Sequence, residues 1–233
     1  MESKMGQEMS LGDRMKSYYE DRFRTKLTRR IPVIMRLDGK AFHTLLKTFS
    51  AYDDTFYNCM RDTTLRLLSE IQGVKGAYIQ SDEISILITD YDTLATEAWF
   101  DYNIQKMCSV SASFASVTFT TKWFSYGYVD VGIFDCRVFN LPKEEVCNYF
   151  IWRQQDWIKN SVQMLARTVF SHKQLHEKSC ASMLNMLEEK GLFWDKLESK
   201  WKNGTFIRKI GGNWLPSTVI QFTKNREEIE NLL

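Results

Sequence analysis

The sequence predicts an α+β protein: a split βαβ sheet unit in its first part, followed by a mainly helical C-terminal subdomain. Three observations carry that prediction. A β-branched run from Pro32 to Leu37 ends in the turn signal Asp38-Gly39. Two further strand-like runs, Gly76 to Gln80 and Ile84 to Ile88, are joined only by Ser81-Asp82-Glu83. Around them lie stretches whose apolar residues recur at helical spacing.

The elements follow in order. A basic lead-in, Arg22 to Arg30, precedes the first strand, which ends on an acid. Two aspartates at 53 and 54, the stripe Phe56, Met60, Leu67, Leu68 and Ile71, and the stop signal Gly73 predict a helix from Asp53 to about Gln72. The hairpin comes next, with carboxylates at its tip. Leu94, Ala98, Phe100, Ile104, Met107 and Phe114 then predict a helix from Thr93 to about Thr118, whose small residues allow close packing on a sheet. A last strand is expected near Val129 to Phe139. The order is β-α-β-β-α-β, the split βαβ unit of ferredoxin-like and polymerase-palm domains. After Pro142 the pattern turns helical, over Lys143 to Phe170 and roughly Gln174 to Lys190, before short Trp- and Lys-rich elements. A palm-like catalytic domain over residues 1–137 and a second subdomain over 138–233 are the expected division.

Composition narrows the function classes. With 44% apolar and 26% charged residues, 11 Gly and 3 Pro, the chain should fold throughout. No apolar run is long enough to span a bilayer and the start, Met1 to Asp13, lacks a hydrophobic signal region, so a soluble, cytoplasmic protein with no membrane partner is expected. The cysteines at 59, 108, 136, 147 and 180 form no CxxC pair and read as reduced, structural thiols. None sits at zinc-ligand spacing from His43, His172 or His176, and the HxxxH pair at 172 and 176 lacks the glutamate of a zinc protease. Both histidines read as surface or RNA-facing. A net charge of +2 excludes a strongly basic, non-specific nucleic-acid binder. Lys plus Arg number 17 against 18 Asp plus Glu up to Arg137, and 14 against 11 beyond it. That +3 half, with Trp152, Trp157, Trp194, Trp201 and Trp214, is either an RNA-facing surface or ordinary charge over buried aromatics.

The chemistry rests on carboxylates. In a split βαβ sheet the first and third strands are central neighbours, so Asp38, Asp82 and Glu83 are expected to converge at one sheet edge. Like charges so placed repel one another and raise each other's pKa. Magnesium relieves that cost, and two ions about 4 Å apart form the usual clamp for phosphoryl displacement. Beyond Asp38, Gly39 allows close approach to a phosphate, the amides of Lys40, Ala41 and Phe42 can donate, and Lys40 and His43 add positive charge. Taken singly, each motif also reads as a plain solvated turn.

Arg36-Leu37-Asp38-Gly39-Lys40-Ala41-Phe42-His43, with Gln80-Ser81-Asp82-Glu83 some forty residues on, resembles the tRNA(His) guanylyltransferase superfamily. Phe114-Ala115-Ser116, Phe134-Asp135-Cys136-Arg137, Trp152-Arg153-Gln154 and Asn203-Gly204-Thr205 extend the likeness over nearly the whole chain. The resemblance implies a palm domain that builds RNA in the 3′-to-5′ direction, usually in a homotetramer. It implies activation of a 5′-monophosphate end of tRNA by ATP or GTP, attack by the 3′-hydroxyl of an incoming NTP, and later removal of pyrophosphate. By motif, Asp38 and Asp82 would hold both Mg2+ ions, the Gly39 carbonyl one of them, and Glu83 would assist. Asp38 to His43, with Ser81, would hold the triphosphate. Arg153, Asn160, His172 and Lys173 are the expected RNA contacts.

Two departures refine this. Members that add one guanylate to tRNA(His) carry His-Ile-Asn-Asn-Leu-Tyr-Asn after Trp-Arg-Gln, whereas here the stretch Ile158 to Met164 keeps only Asn160. That resembles the guanylyltransferase-like branch, which repairs truncated tRNA 5′ ends by templated addition. The Lys-Pro often found before the first long helix is also absent, the chain reading Phe49-Ser50-Ala51-Tyr52-Asp53, with Lys47 a candidate substitute. A palm-type nucleotide cyclase is disfavoured because its Gly-Gly-acid-acid-Phe loop is missing. A non-catalytic RNA-binding module is disfavoured because the central strands lack an aromatic ladder and clustered acids repel phosphate.

Overall fold

Six strands are formed among the described residues, which are 9–47, 49–218 and 220–233 of a computed structural model. They are β1 (Val33–Gly39), β2 (Val74–Gln80), β3 (Glu83–Ile88), β4 (Phe134–Asn140), β5 (Thr205–Ile210) and β6 (Asn213–Ser217). All pair antiparallel, in the order β4-β1-β3-β2-β5-β6. β1 and β3 are buried because both faces of the sheet are covered. Val33, Met35, Leu37, Ile84, Ile86 and Ile88 point to one core, and Ile34 and Leu87 to the other.

The first face is covered by α3 (Asp54–Glu70) and α4 (Ile104–Ser125). α3 starts where expected: the Asp53 side chain accepts the Phe56 N–H at 2.8 Å, satisfying an otherwise orphaned donor. It stops before Gly73, whose φ of +80° takes the chain into β2, and a Cβ there would lie 2.4 Å from the Thr89 carbonyl oxygen. The other face is covered by α5 (Lys143–Arg167), with Phe150 packing on Phe206 and Phe222. The far half of α5 leaves the sheet and packs Val162 and Leu165 against Met183 and Leu187 of α7 (Cys180–Glu188).

Three expectations are corrected. The helix expected over 93–118 begins only at Ile104, where Asn103 caps it through Lys106 N–H at 3.0 Å. The residues before it form a loop and a short 3-10 turn with Phe100 and Asp101 at positive φ; Ala98 reaches the core but Leu94 is 91% exposed, so the stripe does not pack as one helical face. The strand expected from 129 begins at Phe134, since Val129 and Val131 are exposed and unpaired. The helix expected over 174–190 is split into α6 (His172–Leu175) and α7, with Glu177 at φ +58° between them. Residues 137 and 138, where the division is expected, lie inside β4; beyond β4 helices predominate, and β5 and β6 return to the same sheet. The basic lead-in is structural: buried Asp90 accepts from Arg29 Nε at 2.5 Å and from the Arg30 N–H at 2.8 Å.

Candidate active site

The end of β1 and the β2–β3 hairpin meet as the topology requires. Asp38 faces Glu83 on β3 and Asp135 on β4, and the Gly39 N–H donates to the Asp82 carbonyl at 3.1 Å. Asp38 and Asp82 are therefore brought together. Burial, first, pushes the Asp82 carboxyl up to about 6, and the charges of Asp38 and Glu83 act in the same direction. Hydrogen bonds from its own amide and the Ser81 hydroxyl oppose the rise. An acid so raised, next to a second acid, fits a hard divalent cation, because both are oxygen donors that gain by sharing positive charge. No group of three His, Cys, Asp or Glu side chains placed to hold a metal occurs among the described residues.

Glu83 corrects the expected triad. It shares the alternation of Ser85 and Leu87, so it points toward α5 rather than toward Asp82. There it forms a buried two-pronged pair with Arg153: Nε to Oε1 at 2.8 Å and Nη2 to Oε2 at 2.7 Å, with Ser85 Oγ donating to Oε1 at 3.2 Å. Both oxygens are committed, so Glu83 is not placed as a metal ligand. Arg153 is corrected as well. It is 8% exposed and held by Glu83 and by Asp156 at 3.1 Å, which removes it from any RNA-facing surface. The pair pins the middle of α5 beneath the hairpin that carries Asp82. A signal for this existed: Arg153 falls on the apolar side of α5 with Phe150, Gln154 and Trp157, and a buried arginine needs a carboxylate.

Beside the carboxylates opens a cavity of about 450 Å3, within the range of small-ligand sites. Gly39, Ala41, Phe42, His43, Ser81 and Asp82 line it together. Ala41 and Ser81 bend into it through left-handed backbone, φ +59° and +48°. Phe42 contributes backbone only, its ring being buried against Phe119 and Phe134 at 5.1 Å each. That ring explains Gly39: a Cβ there would lie 2.4 Å from it. His43 is exposed at the cavity wall in α2 (Phe42–Leu45). Lys40 is corrected: its N–H donates to the Ile133 carbonyl at 2.7 Å, its side chain is exposed, and it does not line the cavity. Lys47 does not line it either. Asn160, His172 and Lys173 are all exposed, and His172 borders a second cavity beside α6.

Sequence reasoning missed the far wall, which α5 and α8 (Ser199–Asn203) supply through Trp157, Arg167, Lys200 and Trp201. Lys200 is neutralised by Asp54 at 2.7 Å and Glu198 at 3.0 Å. Gln80, 5% exposed, borders the same space, and its Oε1 has no partner among the described residues. An orphaned buried acceptor costs about 1–3 kcal/mol, which a ligand N–H would recover. All five cysteines are free thiols, as expected. No helix of the described residues is long and apolar enough to cross a membrane.

A bacterial tRNA(His) guanylyltransferase-like protein in complex with ATP superposes with a TM-score of 0.92 and 43% identity, over 96% of this chain and 99% of the other. A second such structure, in complex with GTP, gives 0.82 and 38% over the same shares, 96% and 99%. A probable tRNA(His) guanylyltransferase of Drosophila melanogaster is 24% identical over 192 residues, 75% of this chain and 66% of its own. The tRNAHis guanylyltransferase family model matches residues 12–142, more than half of the chain. This protein therefore belongs to the tRNAHis guanylyltransferase family, a family of nucleotidyltransferases.

Proposed function

We propose that the protein adds nucleotides to the 5′ end of tRNA in the 3′-to-5′ direction, directed by the opposing strand, after activation of that end by ATP or GTP. The observation that carries the reading is the juxtaposition of Asp38 and Asp82 beside a nucleotide-sized cavity that Gly39 and Asp82 line. Asp38, Asp82 and the Gly39 carbonyl would hold two magnesium ions, which supply positive charge for phosphoryl transfer when bound. Ser81 and the amides of Ala41, Phe42 and His43 orient the triphosphate, the His43 ring donating to a phosphate oxygen. Gln80 offers its carbonyl to a donor on the nucleotide. Glu83 and Arg153 act at one remove, holding the hairpin and α5 in register. A palm-like catalytic part followed by a part that contacts tRNA and its sister subunits fits this division of labour. A homotetramer fits the exposed apolar side chains of the N-terminal arm, Leu11, Met15, Tyr18, Tyr19 and Phe23.

The relatives' names favour a second reading, addition of a single guanylate to tRNA(His). The replaced segment 158–164 favours templated repair instead. Incubation of a tRNA lacking several 5′ nucleotides with magnesium, ATP and all four NTPs separates the two. Repair restores full length, whereas the second reading gives one added G on tRNA(His) alone. No product on any tRNA would overturn both.

A further inference from the structure

α5 carries the stretch 158–164, which departs from the family pattern, and the last two residues of that stretch wall two different cavities. Met164 lines the nucleotide cavity, while Gln163 lines a second cavity of about 240 Å3 formed with α6 and the turn that follows it. Arg167, one helical turn further on, lines both. The second cavity holds His172, His176 and Lys178 besides Arg167, against a single acid, Glu177. Glu177 faces solvent, its side chain 87% exposed and 3.7 Å from His176 Nε2.

Apart from the contact of Glu177 with His176, this charge has no acidic partner among the described residues. Arg167 donates to Gln163 Oε1 at 3.4 Å, and no ion pair among the described residues takes up Arg167, His172 or Lys178. Lys200, across the nucleotide cavity, is by contrast held by two carboxylates. A polar cavity lined by an arginine and a lysine without ion-pair partners, and by two imidazoles, favours an anion. The guanidinium fork matches phosphate oxygens, and each imidazole offers an N–H whether neutral or protonated. Continuity with the nucleotide cavity at Arg167 selects a polyanion that extends from one to the other, rather than a free ion.

We propose that Arg167 joins the two cavities into one track, along which the RNA strand leaves the nucleotide cavity and lays a backbone phosphate among His172, His176 and Lys178. The track rests on the reading of the chain as an RNA 5′-end nucleotidyltransferase.

The test compares the full-length protein with Lys178→Ala and with the His176→Ala/Lys178→Ala pair, both positions being exposed. Binding of a fluorescent, 5′-truncated tRNA is followed by anisotropy over a series of KCl concentrations, with ATP affinity measured in parallel by calorimetry. The pair weakens RNA binding about tenfold. It also makes the dependence of log K on log salt shallower by about 0.7–0.9 for each phosphate that is no longer neutralised. ATP affinity holds, whereas Arg167→Ala weakens both ligands. Wild-type RNA affinity and salt slope in the pair would overturn the track while leaving the enzymatic reading intact. A loss of RNA and ATP affinity together in the pair would also overturn it, as damage to the fold. If the wild-type protein bound ATP but neither bound nor extended tRNA, the enzymatic reading would fall and the track with it.

Discussion

Asp82→Asn should make the metal-free protein more stable at pH 8 while abolishing nucleotide addition. The Asp82 carboxyl moves from the ordinary 3.8 to about 6 in the folded protein. A carboxyl whose folded pKa exceeds its unfolded value binds its proton more tightly when folded, so stability falls as pH rises from about 4 through 6. Above that window the full penalty applies, at about 1.4 kcal/mol for each tenfold change in proton affinity, or roughly 3 kcal/mol. Asp82 is partly accessible and an amide cannot reproduce every hydrogen bond, so a gain of about 1–2 kcal/mol is expected. Urea unfolding in EDTA at pH 8 and at pH 4 measures it. The gain should be present at pH 8 and largely lost at pH 4, where the carboxyl keeps its proton in the folded protein and is near its midpoint in the unfolded chain. Millimolar magnesium should then stabilise the wild type and not the variant, because only a folded cation site couples to unfolding. An Asn variant less stable than wild type at pH 8 would refute the reasoning.

Asp38→Ala should likewise abolish activity with stability unchanged or raised, read from single-turnover addition and urea midpoints. Arg153→Ala leaves Glu83 buried without its partner and should cost about 3–5 kcal/mol, whereas Glu83→Gln, which keeps some hydrogen bonds, should cost less; denaturant midpoints rank them. His43→Ala should raise the NTP KM by about tenfold with little change in Tm, since His43 is exposed. Unchanged kinetics would remove His43 from the phosphate contacts. Gly39→Ala forces the Phe42 ring to move and should destabilise by about 1–3 kcal/mol with loss of NTP binding.

Much of this site is written in local sequence. The strand ending at Asp38, the capped helix after Asp53 and the tight hairpin at Asp82 each follow from a short-range signal, and all three formed as expected. What failed depended on partners far away in the chain. The sequence predicts Glu83 beside Asp38 and Asp82; it lies on the face opposite Ile84, and only α5, some seventy residues later, supplies the Arg153 that meets it there. Residues 93–103 carry a helical stripe, yet the arginines at 29 and 30 hold that segment by its carbonyls at 96 and 94, and no core faces Leu94. β5 and β6 carry ordinary strand composition but lie beyond a long helical region. Nothing local announces that they return to β2. Arg167 and Lys200 enter the cavity wall only through packing of α5 and α8, so no motif could have marked them.

Templated addition governed by Asp38 and Asp82 is tested most directly by one measurement. A tRNA lacking its first nucleotide is prepared with each of the four bases at the opposing position, and single-turnover rates are measured with each NTP, magnesium and ATP. Correct pairing aligns the incoming 3′-hydroxyl with the activated phosphate, and misalignment costs about a hundredfold or more in rate. The preferred NTP should therefore follow the opposing base in all four tRNAs, and Asp82→Asn should silence all of them. A constant preference for GTP whatever the opposing base would contradict the account.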